Sequence, residues 1–156
     1  MPIRVLVVDD EGLYRGMLQT TLGAHSNIQV VGTAASGEEA IRMAEQLKPD
    51  VILMDIDLGR GPNGIQAGLA IKEKEPSTGI VILSMHRDRQ FIANIPLYWA
   101  SGWSYLLKQT VSDPIALVRA IEASAQGLVT VDAALTQGLI PRADSPLSKL
   151  TEEQFQ

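Results

Sequence analysis

The sequence predicts a doubly wound α/β fold, a five-stranded parallel sheet in the order 2-1-3-4-5 with helices on both faces. Three observations carry that expectation. Short apolar runs recur at Ile3–Val8, 51–54, 80–83 and Trp103–Leu107, three of them apolar almost throughout. Strands covered on both faces have that composition. Between the runs lie stretches with apolar residues at helical spacing. Finally, each run hands over to a charged or hydroxyl residue, which places one chemically equipped rim on the sheet.

Taken in order, the first run ends in Asp9-Asp10-Glu11, and Gly12–Gly23 then sets Leu13, Met17, Leu18 and Leu22 on one helical stripe. The stretch 28–33 is a weaker strand, because it contains Gln29 and Gly32. Ser36-Gly37-Glu38-Glu39 opens a helix over 36–47 that carries Ala40, Ile41, Ala44 and Leu47. The run 51–54 leads to Asp55. A helix over 64–75 contributes Ile65, Leu69 and Ile71, and has to stop before Pro76. The run 80–83 leads to Ser84. The rhythm then demands a fourth helix over 89–99, where Pro96 breaks it or confines it to its first turns. Trp103–Leu107 leads to Lys108. Asp113-Pro114 is an N-cap followed by proline at the first helical position, and Ile115, Val118, Ile121 and Ala125 follow before a stop at Gly127. Right-handed crossovers turn this βα rhythm into a doubly wound sheet.

Domain organisation follows from length and texture. The 156 residues suit one domain over 1–127 and a tail. In the tail, 131–138 is expected to form a short helix capped by Asp132, and 138–150, with two prolines and two serines, to act as a linker. Thr151-Glu152-Glu153-Gln154 matches a capping box, so 151–156 is expected to begin a further, output domain that this sequence cuts short. Composition removes several function classes. No cysteine means no disulfide scaffold, iron–sulfur centre or thiol nucleophile. Two histidines, His25 and His86, make a poor metal set and are expected to be ordinary surface residues. A net charge of −5 argues against extensive contact with phosphate backbones by this stretch. The apolar runs are too short for a membrane span, no signal peptide precedes Ile3, and the expected location is the cytoplasm.

Ligands of open α/β sheets sit outside the carboxyl ends of the strands. In the order 2-1-3-4-5 neighbouring strands lie about 4.8 Å apart, so Asp9, Asp10 and Asp55 converge. Carboxylates at about 4 Å repel by roughly 1–4 kcal/mol per pair. Three acids and Lys108 leave a formal charge of −2, which a divalent cation would cancel. An oxygen-only site with open positions suits Mg²⁺. Lys108 is two strands from Asp55, roughly 10 Å across the backbone, within reach of its long stem. Ser84, one strand away, offers a hydroxyl. An aspartate flanked by a cation, a lysine and a hydroxyl suits phosphoryl transfer, with Asp55 as nucleophile.

The segments VLVVDDE at 5–11, ILMDIDL at 52–58, VILSMH at 81–86 and GWSYLLK at 102–108 resemble the receiver domain of two-component response regulators. The likeness spans about residues 1–126 and implies the flavodoxin-like receiver fold. It implies Asp55 as phosphoacceptor and metal ligand, Asp9 and Asp10 as the acidic pair with Asp10 a direct Mg²⁺ ligand, and the backbone carbonyl of Asp57 as a third protein ligand. Ser84 and Lys108 would bind phosphoryl oxygens, and Tyr105 occupies the aromatic switch position. Asp57 and His86 would border the water path to the phosphoryl group. The SMH and YLLK wording with the trailing LTEEQ resembles the NarL/LuxR-type subfamily, whose output is a helix-turn-helix DNA binder. That implies a sensor histidine kinase as donor, homodimerisation on phosphorylation, DNA contact only through the output domain, and no turnover enzyme. Three departures stand out: the loop IDLGRGPNG is about one residue longer than usual with Pro62 displaced, Gln109 follows Lys108, and Pro96 falls in the fourth helix.

Bland roles compete for each residue. Asp9-Asp10 could be a turn, Lys108 a snorkelling edge residue, Tyr105 a half-buried aromatic, and Trp99 and Trp103 core or interface. Two rival functions differ in kind. Asp55-Ile56-Asp57 also resembles the DxD of haloacid-dehalogenase-type phosphatases, although there the motif sits on the first strand with a second acidic motif downstream. A phosphate-independent pseudo-receiver is the other, against which the complete acid–serine–lysine set argues.

Overall fold

The computed structural model describes residues 2–85 and 102–131. Its strands are β1 (Ile3–Val8), β2 (Ile28–Ala34), β3 (Val51–Asp55), β4 (Gly79–Ser84), β5 (Trp103–Leu107) and β6 (Thr130–Val131). Four helices are described: α1 (Gly12–Gly23), α2 (Gly37–Leu47), α3 (Gly64–Lys74) and α4 (Pro114–Ala125), with a 3-10 turn at Lys108–Ser112. All strands pair in parallel, in the order β2-β1-β3-β4-β5-β6.

Strand alternation splits the interior in two. Leu6, Val8, Ile52, Met54, Ile80, Ile82, Trp103, Tyr105 and Leu107 belong to the core with Ala40 and Ala44 of α2 and Ile65, Ala67 and Ile71 of α3. Val5, Val7, Val51, Leu53, Val81, Leu83 and Leu106 belong to the other, with Leu18 and Leu22 of α1 and Leu117, Val118 and Ile121 of α4. Both faces of the central strands are dry, which is why the sequence shows unbroken apolar runs there.

The helix ends follow local chemistry. Ser36 Oγ accepts from the Glu39 amide at 3.1 Å, and Asp113 accepts from the amides of Ile115 and Ala116 ahead of Pro114. Asn63 and Gln66 form a reciprocal capping box at α3, a start signal that the sequence reading passed over. Gly32 answers to packing. The β1–β2 register slips between Val5 and Leu6, and a Cβ at Gly32 would lie 2.9 Å from side-chain atoms of Met43 and Leu47.

Four expectations need correction. The sheet has a sixth strand, because Thr130–Val131 pairs with Ser104 and Tyr105 where a helix from 131 was expected. Leu13 (87% exposed) and Met17 lie outside the core stripe of α1, which is Tyr14, Leu18 and Leu22. At 3.6 residues per turn Leu13 sits about 140° from Leu18. For the same reason Leu69 and Ile115 are exposed, while Ala67 and Gly68 of α3 and Leu117 of α4 turn inward. The fourth helix at 89–99 with Pro96, His86, Trp99, the linker at 138–150 and the capping box at 151–154 lie outside the described residues, as does 132–138.

Candidate functional site

The carboxyl ends of β1, β3 and β5 bring Asp9, Asp55 and Lys108 into contact. Lys108 Nζ lies 3.0 Å from Asp55 Oδ2 and 3.2 Å from Asp9 Oδ2. The reach across two strands is therefore achieved in full. Asp9 is wholly buried and Asp55 nearly so, whereas Asp10 is exposed. The main chain fixes both buried carboxylates: the Glu11 amide donates to Asp9 Oδ1 at 2.8 Å and the Asp57 amide to Asp55 Oδ1 at 3.2 Å. Arg15 donates to the Asp9 carbonyl at 2.7 Å, tying the turn after β1 to α1. The long loop after β3 is accommodated by positive φ at Gly59 and Gly61 and by Gly64, whose amide bonds the Ile56 carbonyl at 2.8 Å. A Cβ at Gly64 would stand 2.3 Å from the Asp55 carbonyl oxygen, so glycine is required there.

Above these groups opens a pocket of about 440 Å³, lined by Asp10, Glu11, Asp55, Asp57, Met85 and Lys108. Oxygens of Asp9, Asp10 and Asp55 all lie within 4.8 Å of one another. At that separation one pair repels by about 3.5 kcal/mol at an effective dielectric of about 20. Among the described residues, Lys108 pairs with two of the three carboxylates, those of Asp9 and Asp55. Burial pushes the Asp55 carboxyl up to about 6, with the charge of Asp9 adding to it and the Lys108 contacts opposing it. Burial acts to lower Lys108, but its bonds and charge contacts with Asp55 and Asp9 outweigh that and hold it above its ordinary value. Three hard oxygen donors around an open, wettable pocket fit a metal ion that retains waters.

Ser84 closes the set differently. It is fully buried beside Leu107 in the register, and its hydroxyl has no hydrogen-bond partner among the described residues. Tyr105 is also buried, its hydroxyl without a partner among the described residues, and its ring stacks on Trp103 at 6.2 Å with planes 8° apart. Trp103 is thus core, its ring edge filling the space Gly68 leaves on α3. Tyr105 faces the α2–α3 core, and neither it nor Ser84 is among the described residues lining the pocket. Tyr14 and Met85 escaped the sequence reading. The Tyr14 ring centroid is 4.4 Å from Lys108 Nζ, and burial pushes its phenol up to about 12 despite the nearby lysine. Its signal was its place four residues before Leu18 on the core stripe of α1.

Fold and site together define a doubly wound parallel α/β domain with an acidic, cation-ready pocket at its strand ends. Residues 5–122 match the family model described as response regulator receiver domain. The chain belongs to that family, and the phosphatase reading of Asp55-Ile56-Asp57 falls with it. It is similar to the transcriptional regulatory protein DegU of Brevibacillus brevis, 33% identical over 88% of this chain and 56% of the relative. It is 31% identical to the oxygen regulatory protein NreC of Staphylococcus haemolyticus, over 88% of this chain and 62% of that one. The chain therefore spans about 56–62% of the length of these relatives. A crystal structure of a LuxR-family two-component response regulator from Aurantimonas sp. SI85-9A1 superposes with a TM-score of 0.77 at 29% identity, covering 93% of this chain and all of that one. The signal receiver domain of the putative response regulator NarL from Mycobacterium tuberculosis gives 0.70 at 30% identity, over 81% and 98% of the two chains. This is a receiver domain of the NarL/LuxR type.

Proposed function

We propose that Asp55 accepts a phosphoryl group from a sensor histidine kinase and that the modification controls a DNA-binding output in transcription. The observation that carries this reading is the pairing of Asp55 with Lys108 at 3.0 Å, beneath an open pocket that a donor can enter. A carboxylate oxygen of Asp55 forms the new P–O bond. The donor's P–N bond breaks, and its imidazole keeps the electron pair and takes up a proton. Asp9, Asp10, Asp55 and the main-chain carbonyl of Asp57 are the groups that would hold Mg²⁺. When bound, the ion supplies positive charge for phosphoryl oxygens and offsets the acidic cluster.

This chain's own residues do the rest. Lys108 neutralises charge as it passes from Asp55 to the phosphoryl oxygens. The buried, unpartnered Ser84 hydroxyl is ready to donate to one of them. A phosphoryl group adds about −1.5 to −2 charges and three acceptors. Moving a switch from 1:99 to 99:1 takes about 5.5 kcal/mol, and two charge-assisted bonds at roughly 1.5–3 kcal/mol each meet that figure. Ser84 and Tyr105 lie on paired strands, so a shift at Ser84 can reach the Trp103–Tyr105 stack. The output is altered homodimerisation, which sets how a helix-turn-helix domain engages DNA. Such a chain acts in the cytoplasm, and among the described residues no helix is long and apolar enough to cross a membrane.

Incubation with acetyl phosphate and Mg²⁺, followed by intact mass measurement, tests the first step. The expected result is an adduct of about 80 Da in wild type and none in Asp55→Asn. An unmodified wild type, or an undiminished adduct in the variant, overturns the reading.

A further inference from the structure

Lys108 must stay at the pocket while Asp55, one of its two anionic partners, is converted into something else. Before transfer its ammonium is held between Oδ2 of Asp55 at 3.0 Å and Oδ2 of Asp9 at 3.2 Å. Once the Asp55 carboxylate has become an acyl phosphate its charge has moved outward, and the buried Asp9 carboxylate competes for the whole ammonium. A lysine is a flexible stem with a strongly hydrated head, so nothing intrinsic to it prevents retreat towards Asp9 or solvent. A third contact does not depend on the charge of Asp55. The face of Tyr14 lies 4.4 Å from Nζ, and its hydroxyl is 3.5 Å from the Lys108 carbonyl oxygen. The phenol therefore touches both ends of the same residue, its face on the ammonium and its oxygen on the main chain.

The helix carrying this ring is itself fastened to the site. Tyr14 is on the core stripe of α1, and Arg15 beside it bonds the Asp9 carbonyl at 2.7 Å. The ring is thus tied to the turn that presents Asp9 and Asp10. We infer that Tyr14 is a positioning residue for phosphoryl transfer, a π-face backstop that keeps the Lys108 ammonium at Asp55. This rests on the phosphoacceptor reading above and goes beyond it by adding a residue outside the acid–serine–lysine set. Cation–π contacts in partly desolvated sites correspond to a loss of about 3- to 30-fold when the ring is removed.

Two variants separate the ring from its hydroxyl and from mere packing. Tyr14→Leu keeps an apolar residue on the stripe but removes the π face, and Tyr14→Phe keeps the face without the hydroxyl. The full chain is labelled with lysine carrying ¹³C at Cε, and initial rates with acetyl phosphate and Mg²⁺ are followed by intact mass. In wild type the Lys108 Cε protons should be shifted upfield by the ring current. That shift should persist in Tyr14→Phe and vanish in Tyr14→Leu. The rate should fall about 5- to 10-fold in Tyr14→Leu and recover in Tyr14→Phe. A Tyr14→Leu rate equal to wild type overturns the inference, as does a Tyr14→Phe rate as low as that of Tyr14→Leu. If wild type takes no phosphoryl group, the functional reading falls alone, and the ring-current pattern decides whether Tyr14 holds Lys108.

Discussion

Neutralising Asp55 should stabilise this fold, and by an amount that depends on pH in a defined direction. The carboxyl ordinarily titrates at 3.8 and in the folded chain at about 6, because burial and the charge of Asp9 outweigh Lys108. Below 3.8 the group is neutral in both the folded and unfolded states and has no effect. Between 3.8 and 6 the folded chain retains a proton that the unfolded chain releases, so stability falls as pH rises. Above 6 the loss is complete, at about 3 kcal/mol. Asp55→Asn removes that penalty. An amide cannot accept from both Lys108 and the Asp57 amide as the carboxylate does, which returns about 1 kcal/mol. The net expectation is about 2 kcal/mol of stabilisation above pH 7 in chelator, or about 8 °C in Tm for a domain of this size. The gain should shrink through pH 6 and be gone near pH 4. Urea unfolding of both proteins across pH 4–8 measures it. A variant less stable than wild type at pH 8, or a difference flat across that range, refutes the account of the buried charge.

Three further outcomes follow from the same contacts. Mg²⁺ should raise the wild-type Tm, by the equivalent of about 1.4 kcal/mol at ten times its Kd; Asp10→Asn should lose that response while melting no lower than wild type in chelator, since it removes an exposed member of a mutually repelling cluster. Gly64→Ala should cost at least 2–3 kcal/mol in urea unfolding, because the new Cβ would meet the Asp55 carbonyl oxygen and the chain must shift. Ser84→Ala should leave stability unchanged or raise it by about 1 kcal/mol, since the lost hydroxyl is buried and unpartnered; the lifetime of the phosphorylated form, read by intact mass, should nonetheless fall.

The fold was legible wherever burial on both sides left no polar residue to confuse the pattern. Val51-Ile52-Leu53-Met54 and Ile80-Val81-Ile82-Leu83 are fully or almost fully buried, and no surface demand competes with the sheet for their identity. The helices were harder, because an apolar residue on a helix says only that one face is buried, not which. Leu13, Leu69 and Ile115 satisfied a helical spacing and still face water. On α3 the buried face mixes Ile65 and Ile71 with Gly64, Ala67 and Gly68; the lack of a side chain at Gly68 admits Trp103, and smallness leaves no mark on a hydrophobic pattern. The two-residue β6 was invisible for another reason: Thr130–Val131 acquires strand character only by pairing with Ser104 and Tyr105, a contact far along the chain.

The site was legible in its charges and illegible in what holds them. Asp9, Asp10, Asp55 and Lys108 could be placed together because each terminates an apolar run, and parallel strands end on the same rim. Nothing in that reasoning distinguishes Asp9 from Asp10, yet one is sealed against Lys108 and the other opens to the pocket. The difference arises in the turn after β1, where the Glu11 amide and the Lys108 ammonium hold the buried Asp9 carboxylate and Asp10 stays exposed. Tyr14 is subtler still. Its sequence position marks it as a core residue of α1, and it is one. Its ring becomes part of the site only because Lys108, anchored 94 residues away, folds its stem along the same face. An aromatic that serves both a helix stripe and a cation cannot be told from one that serves the stripe alone until the cation's place is known.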